Sequence, residues 1–566
     1  MRFENARRIT GRSLLMPGPG AAVEHLYDPG DDAAALTRRF DDALVGPALD
    51  ALGLAGLARF RRDFAGGASV GIEAPIDRLY AEVDLLEWAS EALAGSATLT
   101  FDEALARFRE QAAAEANPAL VALQAEARRR GLPFTWDDEH ATIGWGRGAR
   151  TWAAREIPPL EAIDWTGVGR IPVALVTGTN GKTTTTRMTT RILKAAGHVV
   201  GATSTDAITV DEAIVEAGDW TGPGAARAAL RRPEVTAAVL ETARGGILRR
   251  GLAVEAVDAA LVTNVAEDHF GDWGIGSLEA MAAAKGVVWD AVRPGGARLV
   301  DVDDPVLAAV VSARVAAEPT RWVLVSREYD NIHVVSHRAA GGRAWVVKHG
   351  VITRADGAAE VSVVAVADIP ATFGGHARHN VDNALCAAAV AAALGADDRA
   401  IVKGLSSFGR TPDDNPGRLE LHAVRGVRVL LDFSHNPHGV RAVRPIVEHL
   451  VAAAPGARLS ICVGQAGDRS DHDLAELARE VLACRPAAIW LRPLPGYERG
   501  RAPGETAAIL SRLFVAGGLP EAAVTIVEGE VEALRRGLAW ARPGDLLVHF
   551  VHIERADVRA LIAELR

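Results

Sequence analysis

Lysine is scarce: the 566-residue chain carries five, at positions 182, 194, 285, 348 and 403, among 62 basic residues, so a lysine at a special position stands out. Cysteine is scarcer still. Cys386, Cys462 and Cys484 are widely spaced, lie in apolar runs and make neither a metal-ligand spacing nor a disulfide framework, which leaves buried, reduced thiols as the expectation. No apolar stretch follows Arg7, Arg8 and Arg12 as a signal peptide would require, and no run reads as a membrane span. The expectation is a cytoplasmic protein with no membrane partner. Positive charge is not in excess either: a net charge of −10 and a pI near 5.9 remove any bulk attraction to nucleic acid. There is no internal repeat, and the richness in alanine is what helices favour.

What is present is the balance of a globular protein, 49% hydrophobic and 24% charged. The length exceeds one ordinary core and predicts about three packed units. Residues 1–165 mix strand-like pieces (8–15 and 23–27) with helical periodicity, the longest over 101–130 and interrupted at Asn117-Pro118. They predict a small α+β domain ending in a linker at 154–170, where Pro158-Pro159, Gly167 and Gly169 cluster. From 166 to 411 the pattern becomes short apolar strand, turn and long helix, with strands predicted at 173–176, 237–240, 259–262 and 297–300. That alternation predicts a mostly parallel sheet covered on both faces. A second α/β unit spans 412–566, with strands predicted at 427–431, 458–463, 488–491, 524–527 and 546–550.

The segment with the most chemical content follows the first of those strands. Gly178, Thr179, Asn180 and Gly181 form a turn, and Lys182, Thr183 and Thr184 open a helix. A loop in this position aims backbone N–H groups and a helix N-terminus at phosphate, with Lys182 as a positive charge and the Thr183 hydroxyl for Mg²⁺. The general phosphate-loop pattern has glycine where this chain has Val176, which disfavours the commonest GTPase and kinase families.

This shortened Thr-Gly-Thr-Asn-Gly-Lys-Thr form resembles that of the Mur ligase superfamily, and the resemblance continues in order to the C-terminus. It implies a central ATP-binding phosphate-loop domain and a Rossmann-like C-terminal domain that must close over ATP. It implies ATP and Mg²⁺ as cofactors. Glu241, after the strand at 237–240, resembles the family's Mg²⁺ ligand; His269, in Thr-Asn-Val-Ala-Glu-Asp-His, resembles its second metal ligand. Lys285 matches a lysine that is often carbamylated in the family, a change that makes it chemically a carboxylate. Asn380 and, more strongly, Asn383 resemble the segment that reaches adenine. Arg418, in Pro-Gly-Arg-Leu-Glu, resembles an arginine clamp on ATP, and Asp432, in Asp-Phe-Ser-His-Asn-Pro, the ribose-binding aspartate, with His435 beside it.

Within the superfamily the chain resembles the C-terminal half of the cyanophycin synthetases. Glu-Thr-Ala-Arg-Gly-Gly-Ile-Leu-Arg-Arg-Gly at 241–251, Ile-Pro-Ala-Thr-Phe-Gly-Gly-His-Ala-Arg-His-Asn-Val-Asp-Asn at 369–383, and Arg-Gly-Arg-Ala-Pro-Gly-Glu at 499–505 carry it. Arg244 is then a substrate candidate, because a guanidinium holds a carboxylate bidentately; pairing with a structural acid is the other reading. Arg499, Arg501 and Glu505 lie where the family holds the incoming amino acid; a solvated charged loop is the other reading. Family members of this type carry an ATP-grasp domain before the Mur-like half. Here residues 125–134 and 143–146 resemble its lead-in, but no ATP-grasp core fits before the phosphate loop.

The expected activity is therefore one coupling: a substrate carboxylate, on a small molecule or peptide, is activated as an acyl phosphate and joined to an amino-acid amine. Two alternatives stand beside it. One is a ligase for a muramyl peptide or a folate-type substrate; the other is a nucleotide-binding partner of a separate ATP-grasp protein. A homo-oligomer is expected.

Overall fold

A computed structural model describes residues 1–267 and 270–565. Among these residues the strands form four sheets of four, three, eleven and six strands. The chain divides into two compact units, one of residues 1–363 with 383–404 and the other of residues 364–382 with 405 onward. The fold is α/β, with a mostly parallel sheet in the region of the phosphate loop, a second largely parallel sheet in the last part of the chain, and a small antiparallel sheet near the N-terminus. No helix among the described residues is long and apolar enough to cross a membrane.

In the first unit, Arg2–Ile9, Gly20–Leu26, Gly67–Glu73 and Arg59–Phe64 make an antiparallel sheet in that spatial order. Helices Leu79–Ala94 and Phe101–Glu115 supply its apolar cover, with Leu85, Leu86, Trp88 and Phe108 buried in the same cluster as Val23 and Ile72. The second helix starts where Thr100 and Glu103 bond reciprocally to each other's backbone N–H, at 2.8 and 3.4 Å. The periodicity over 101–130 resolves into two helices, Phe101–Glu115 and Pro118–Arg129, because Pro118 cannot continue the first and is suited to open the second. The strand predicted at 8–15 lies earlier, at Arg2–Ile9. Beyond Ile9 the Ser13 hydroxyl accepts from Leu15 N and Met16 N, both at 3.2 Å, and turns the chain into a loop.

The eleven-stranded sheet places Val173–Thr177 between Ala237–Glu241 and Val257–Val262, parallel to both. All five residues of Val173–Thr177 are buried, as expected of a strand with neighbours on both edges and helices on both faces. The chain leaves this strand toward one side, through Val200–Thr203 and Ala237–Glu241, and later returns on its other side with Val257–Val262. That reversal leaves a crevice beyond the strands' carboxyl ends. A hairpin the apolar-run reading missed, Arg343–Lys348 with Val351–Asp356, turns at His349 (φ 51°) and Gly350 (φ 76°). Two consecutive residues of positive φ are what a two-residue hairpin turn demands.

The second unit has a sheet in the order Glu420–Val424, Val427–Asp432, Leu546–Phe550, Leu459–Val463, Ala488–Leu491 and Val524–Ile526, antiparallel only at its first pair. Just past Ala488–Leu491, Arg492 is buried and paired with buried Glu530 at 2.7 Å, each 1% exposed. Glu530 also accepts from His552 N at 2.6 Å and Glu554 N at 2.7 Å, so one carboxylate organises the turn after Leu546–Phe550. Removing one partner of a buried ion pair strands the other charge. Glu530→Gln is expected to destabilise the protein by about 3–5 kcal/mol in urea unfolding; a change close to zero would show that the pair carries no stability.

Candidate functional site

The loop after Val173–Thr177 is held by its neighbours. Thr263 Oγ1 donates to Asn180 O at 2.8 Å, and Asn264 Nδ2 donates to the same oxygen at 3.0 Å. Asn264 also accepts from Thr179 N through its carbonyl and from Asn180 N through Oδ1, both at 2.9 Å. Both residues stand immediately after Val257–Val262, so the adjacent strand end sets the shape of the loop. Asp304 steadies this arrangement: it accepts from Val265 N at 2.7 Å while capping Pro305–Ala317 through Val306 N and Leu307 N.

Gly181 takes φ 82° and caps Lys182–Ala195, and an added Cβ there would stand 2.3 Å from Asn383 Oδ1. Only glycine satisfies both the left-handed backbone and that approach. The same Asn383 oxygen accepts from Thr185 Oγ1 at 3.2 Å, so Asn383 lies against the start of the loop's helix.

Lys182 is half-buried, and its Nζ donates to Thr179 O at 3.0 Å, which folds the ammonium back over the loop. Thr183 Oγ1 donates to Glu241 Oε2 at 2.9 Å and lies 3.1 Å from Thr205 Oγ1. Glu241 is 2% exposed at the end of its strand. A buried carboxylate beside a threonine hydroxyl is a set of hard oxygen donors of the kind Mg²⁺ takes. Lys285, 4% exposed, donates from Nζ to Gly178 O at 2.8 Å. In this form it is a cation on the loop's first carbonyl, and a metal-holding role belongs to its carbamylated form. Lys182, Thr183, Glu241 and Lys285 thus all meet at Gly178–Thr183; His269 lies outside the described residues.

Arg244 opens the helix Arg244–Arg250, three residues past the strand end at Glu241, and donates from Nη2 to Asp272 Oδ2 at 3.1 Å.

In the second unit Asp432 is buried at its strand end and accepts from Leu419 N at 2.9 Å and Ser434 N at 2.8 Å. The Arg418 guanidinium lies over the Phe433 ring, 4.3 Å from its centroid. A cavity of about 250 Å³ is lined by Arg418 with Asn380, Pro370, Phe373, Asn415 and Leu419. Asn380 is anchored there by donation from Nδ2 to Ala371 O at 2.7 Å. His435 contacts Phe433 O through Nδ1 at 3.1 Å and accepts at its carbonyl from Gln465 Nε2 at 2.8 Å.

Beside it, burial and the Arg492 guanidinium hold His552 well below the ordinary histidine range. Arginine only donates, so its 2.8 Å contact makes His552 Nδ1 the acceptor, and Nε2–H is left to donate to Ser434 O at 3.2 Å. Arg492 and His552 are 60 residues apart in sequence and carried no local signal.

The charged segment at 499–505 is tied largely to residues 467–471. Arg501 donates to Glu505 Oε1 at 3.0 Å, Asp471 Oδ1 at 2.7 Å, Gly467 O at 3.1 Å and Arg469 O at 2.8 Å. Glu505 Oε2 accepts from Ala502 N at 2.9 Å, and Arg499 pairs with Asp468 at 2.5 Å.

With this geometry in view, the sequence matches the Mur ligase middle domain over residues 176–391 and the Mur ligase glutamate ligase domain over residues 417–550. It is 31% identical over 407 residues to the UDP-N-acetylmuramoylalanine--D-glutamate ligase of Frankia casuarinae, covering 71% of each chain. The chain belongs to the Mur ligase family. Its class is that of ATP-dependent carboxylate–amine ligases.

Identity is higher, 39% over 397 residues, to the cyanophycin synthetase of Synechocystis sp., an alignment that takes in 69% of this chain and 44% of that protein. The chain thus spans less than half the length of the cyanophycin synthetases it matches. Among solved structures, Escherichia coli FolC in complex with DHPP and ADP superposes with a TM-score of 0.50 at 21% identity, over 69% of this chain and 89% of that one, a likeness of fold.

Gly181→Ala is expected to weaken ATP binding at least tenfold by calorimetry with the circular-dichroism spectrum unchanged, because the added methyl displaces Asn383 and strains the loop. Wild-type affinity in that variant would mean that the loop does not hold the nucleotide.

Proposed function

We propose that this Mur ligase activates a substrate carboxylate as an acyl phosphate at Gly178–Thr184 and joins it to the amine of an amino acid. The observation that carries the reading is the convergence of Lys182, Thr183, Glu241 and Lys285 on one loop, with Arg244 three residues beyond the strand end at Glu241.

In the first step a carboxylate oxygen attacks the γ-phosphorus, the bond to the β-phosphate oxygen breaks, and ADP leaves. The amine nitrogen then attacks the acyl carbon; the carbon–oxygen bond to phosphate breaks, a proton is lost from nitrogen, and phosphate departs carrying one former carboxylate oxygen. Mg²⁺, held by Thr183 and Glu241, supplies charge neutralisation on the phosphates when bound. The chain's own contribution is positioning and fixed charge. The Lys182 ammonium offsets charge on the transferring phosphoryl group, and loop N–H groups and the helix N-terminus orient the phosphates. Arg244 orients the carboxylate through paired N–H donors. Arg418, Asp432 and Asn383 serve the nucleotide, and His435, Arg499, Arg501 and Glu505 the substrates. His269 and carbamylated Lys285 complete the metal set.

The motif at 241–251 favours an acidic peptide as the carboxylate partner, in a single coupling of the cyanophycin-synthetase kind. The test is mass spectrometry of products formed from ATP, short aspartate peptides and each amino acid, with ADP release in parallel. The expected product is a peptide longer by one amino acid, and Lys182→Ala is expected to lower substrate-dependent ADP release at least a hundredfold by removing the charge on the phosphates. Undiminished turnover in Lys182→Ala would reject the site. Products from a muramyl peptide or folate would move the substrate assignment, and ATP binding without turnover on any substrate would favour a partner subunit.

A further inference from the structure

The turn that pairs with Arg244 is strained and is held from outside. Asp272–Gly274 follows Gly271 (φ 98°), and Trp273 itself sits in the left-handed region at φ 58°, ψ 28°. A bulky residue keeps such a conformation only where its surroundings impose it. Three side chains of the N-terminal antiparallel sheet do so. Arg62 donates from Nη2 to Trp273 O at 2.5 Å and to Ser69 Oγ at 3.1 Å. The Arg7 guanidinium lies over the Trp273 ring at 4.5 Å. The Phe64 ring fills the space beside Gly274, where an added Cβ would stand 2.3 Å from the ring.

The same sheet grips the helix that Arg244 opens. Arg7 Nε donates to Leu248 O at 3.1 Å, while its other nitrogens hold buried Glu24 in a bidentate pair at 2.5 and 2.9 Å. Thr10 N donates to Arg250 O at 2.7 Å, and Leu252 N donates to Arg12 O at 2.8 Å. Arg7 therefore touches both elements that meet in the Arg244–Asp272 contact.

We infer that the N-terminal domain is a positioning module for the carboxylate site: Arg7, Arg62 and Phe64 clasp Arg244–Arg250 and Asp272–Gly274 together, and so set where the Arg244 guanidinium stands. The residues of the clasp are positioning residues. The inference rests on the reading of Arg244 as the substrate's carboxylate partner.

The test uses the full chain with ATP and a short aspartate peptide. Arg62→Met is expected to raise KM for the peptide at least tenfold while KM for ATP stays within twofold, and to add nothing further in an Arg244→Ala background, because both changes act through one guanidinium. Arg7→Lys, which keeps a charge opposite Glu24 but loses the flat stack and the fork, is expected to shift the same constant in the same direction. An unchanged peptide KM in Arg62→Met, or effects of Arg62→Met and Arg244→Ala that simply add, would overturn the inference. If the wild-type protein releases no ADP with any carboxylate and amine, it is the ligase reading that fails, and the clasp is then judged by amide hydrogen exchange. Faster exchange over 244–252 and 271–275 in Arg62→Met, with 182–195 unaltered, supports it; unaltered exchange over those segments overturns it.

Discussion

The phosphate loop takes its shape from a strand beside it. The Asn180 carbonyl is bonded to Thr263 and Asn264, the Gly178 carbonyl to Lys285, and the Thr183 hydroxyl to Glu241. Each partner comes from a different position in the chain, and all are brought together by one fact of topology, the placing of Val173–Thr177 between two parallel neighbours. Everything proposed for the site depends on that pairing. A register slip of one residue in either neighbouring strand would turn Glu241 or Thr263 to the opposite face and away from the loop.

Burial adds weight to the arrangement. Glu241 and Lys285 are 2% and 4% exposed, charged types that rarely lie inside without partners. Their desolvation is a cost that a merely structural loop would have little reason to bear. The second unit shows a related economy. Glu530 holds Arg492, Arg492 holds His552, and His552 reaches Ser434 O two residues past Asp432. The links at Arg492 all run through Nη2, while its buried Nε and Nη1 have no hydrogen-bond partner among the described residues, so the network is only partly satisfied.

Much of the fold was legible in sequence because parallel strands buried on both faces are short, largely apolar runs, and Val173–Thr177, Ala488–Leu491 and Leu546–Phe550 are of that kind. Edge elements were not. Ala213–Ala217 is exposed throughout and its apolar run is only three residues long, and the hairpin at His349-Gly350 is marked by turn geometry more than by composition. At the site, strand-end position marked the loop and Glu241, whereas Lys285, inside the helix Leu278–Asp290, was marked only by the family resemblance. Neither revealed what they bond to. Asn383 lies against Gly181 from 202 residues away, and Arg62 reaches Trp273 from 211. Such contacts are made by tertiary packing, which periodicity does not encode. The role of residues 1–165 was equally closed to sequence reading and became open to argument only through Arg7 and Arg62.

The central claim is that a carboxylate is phosphorylated on oxygen before the amine attacks. Its most direct test is to supply the carboxylate substrate labelled with ¹⁸O, run the reaction with ATP and the amino acid, and analyse the phosphate released by mass spectrometry. An acyl phosphate route places one labelled oxygen in each phosphate formed, with ADP as the other product. Unlabelled phosphate alongside amide product would contradict the account.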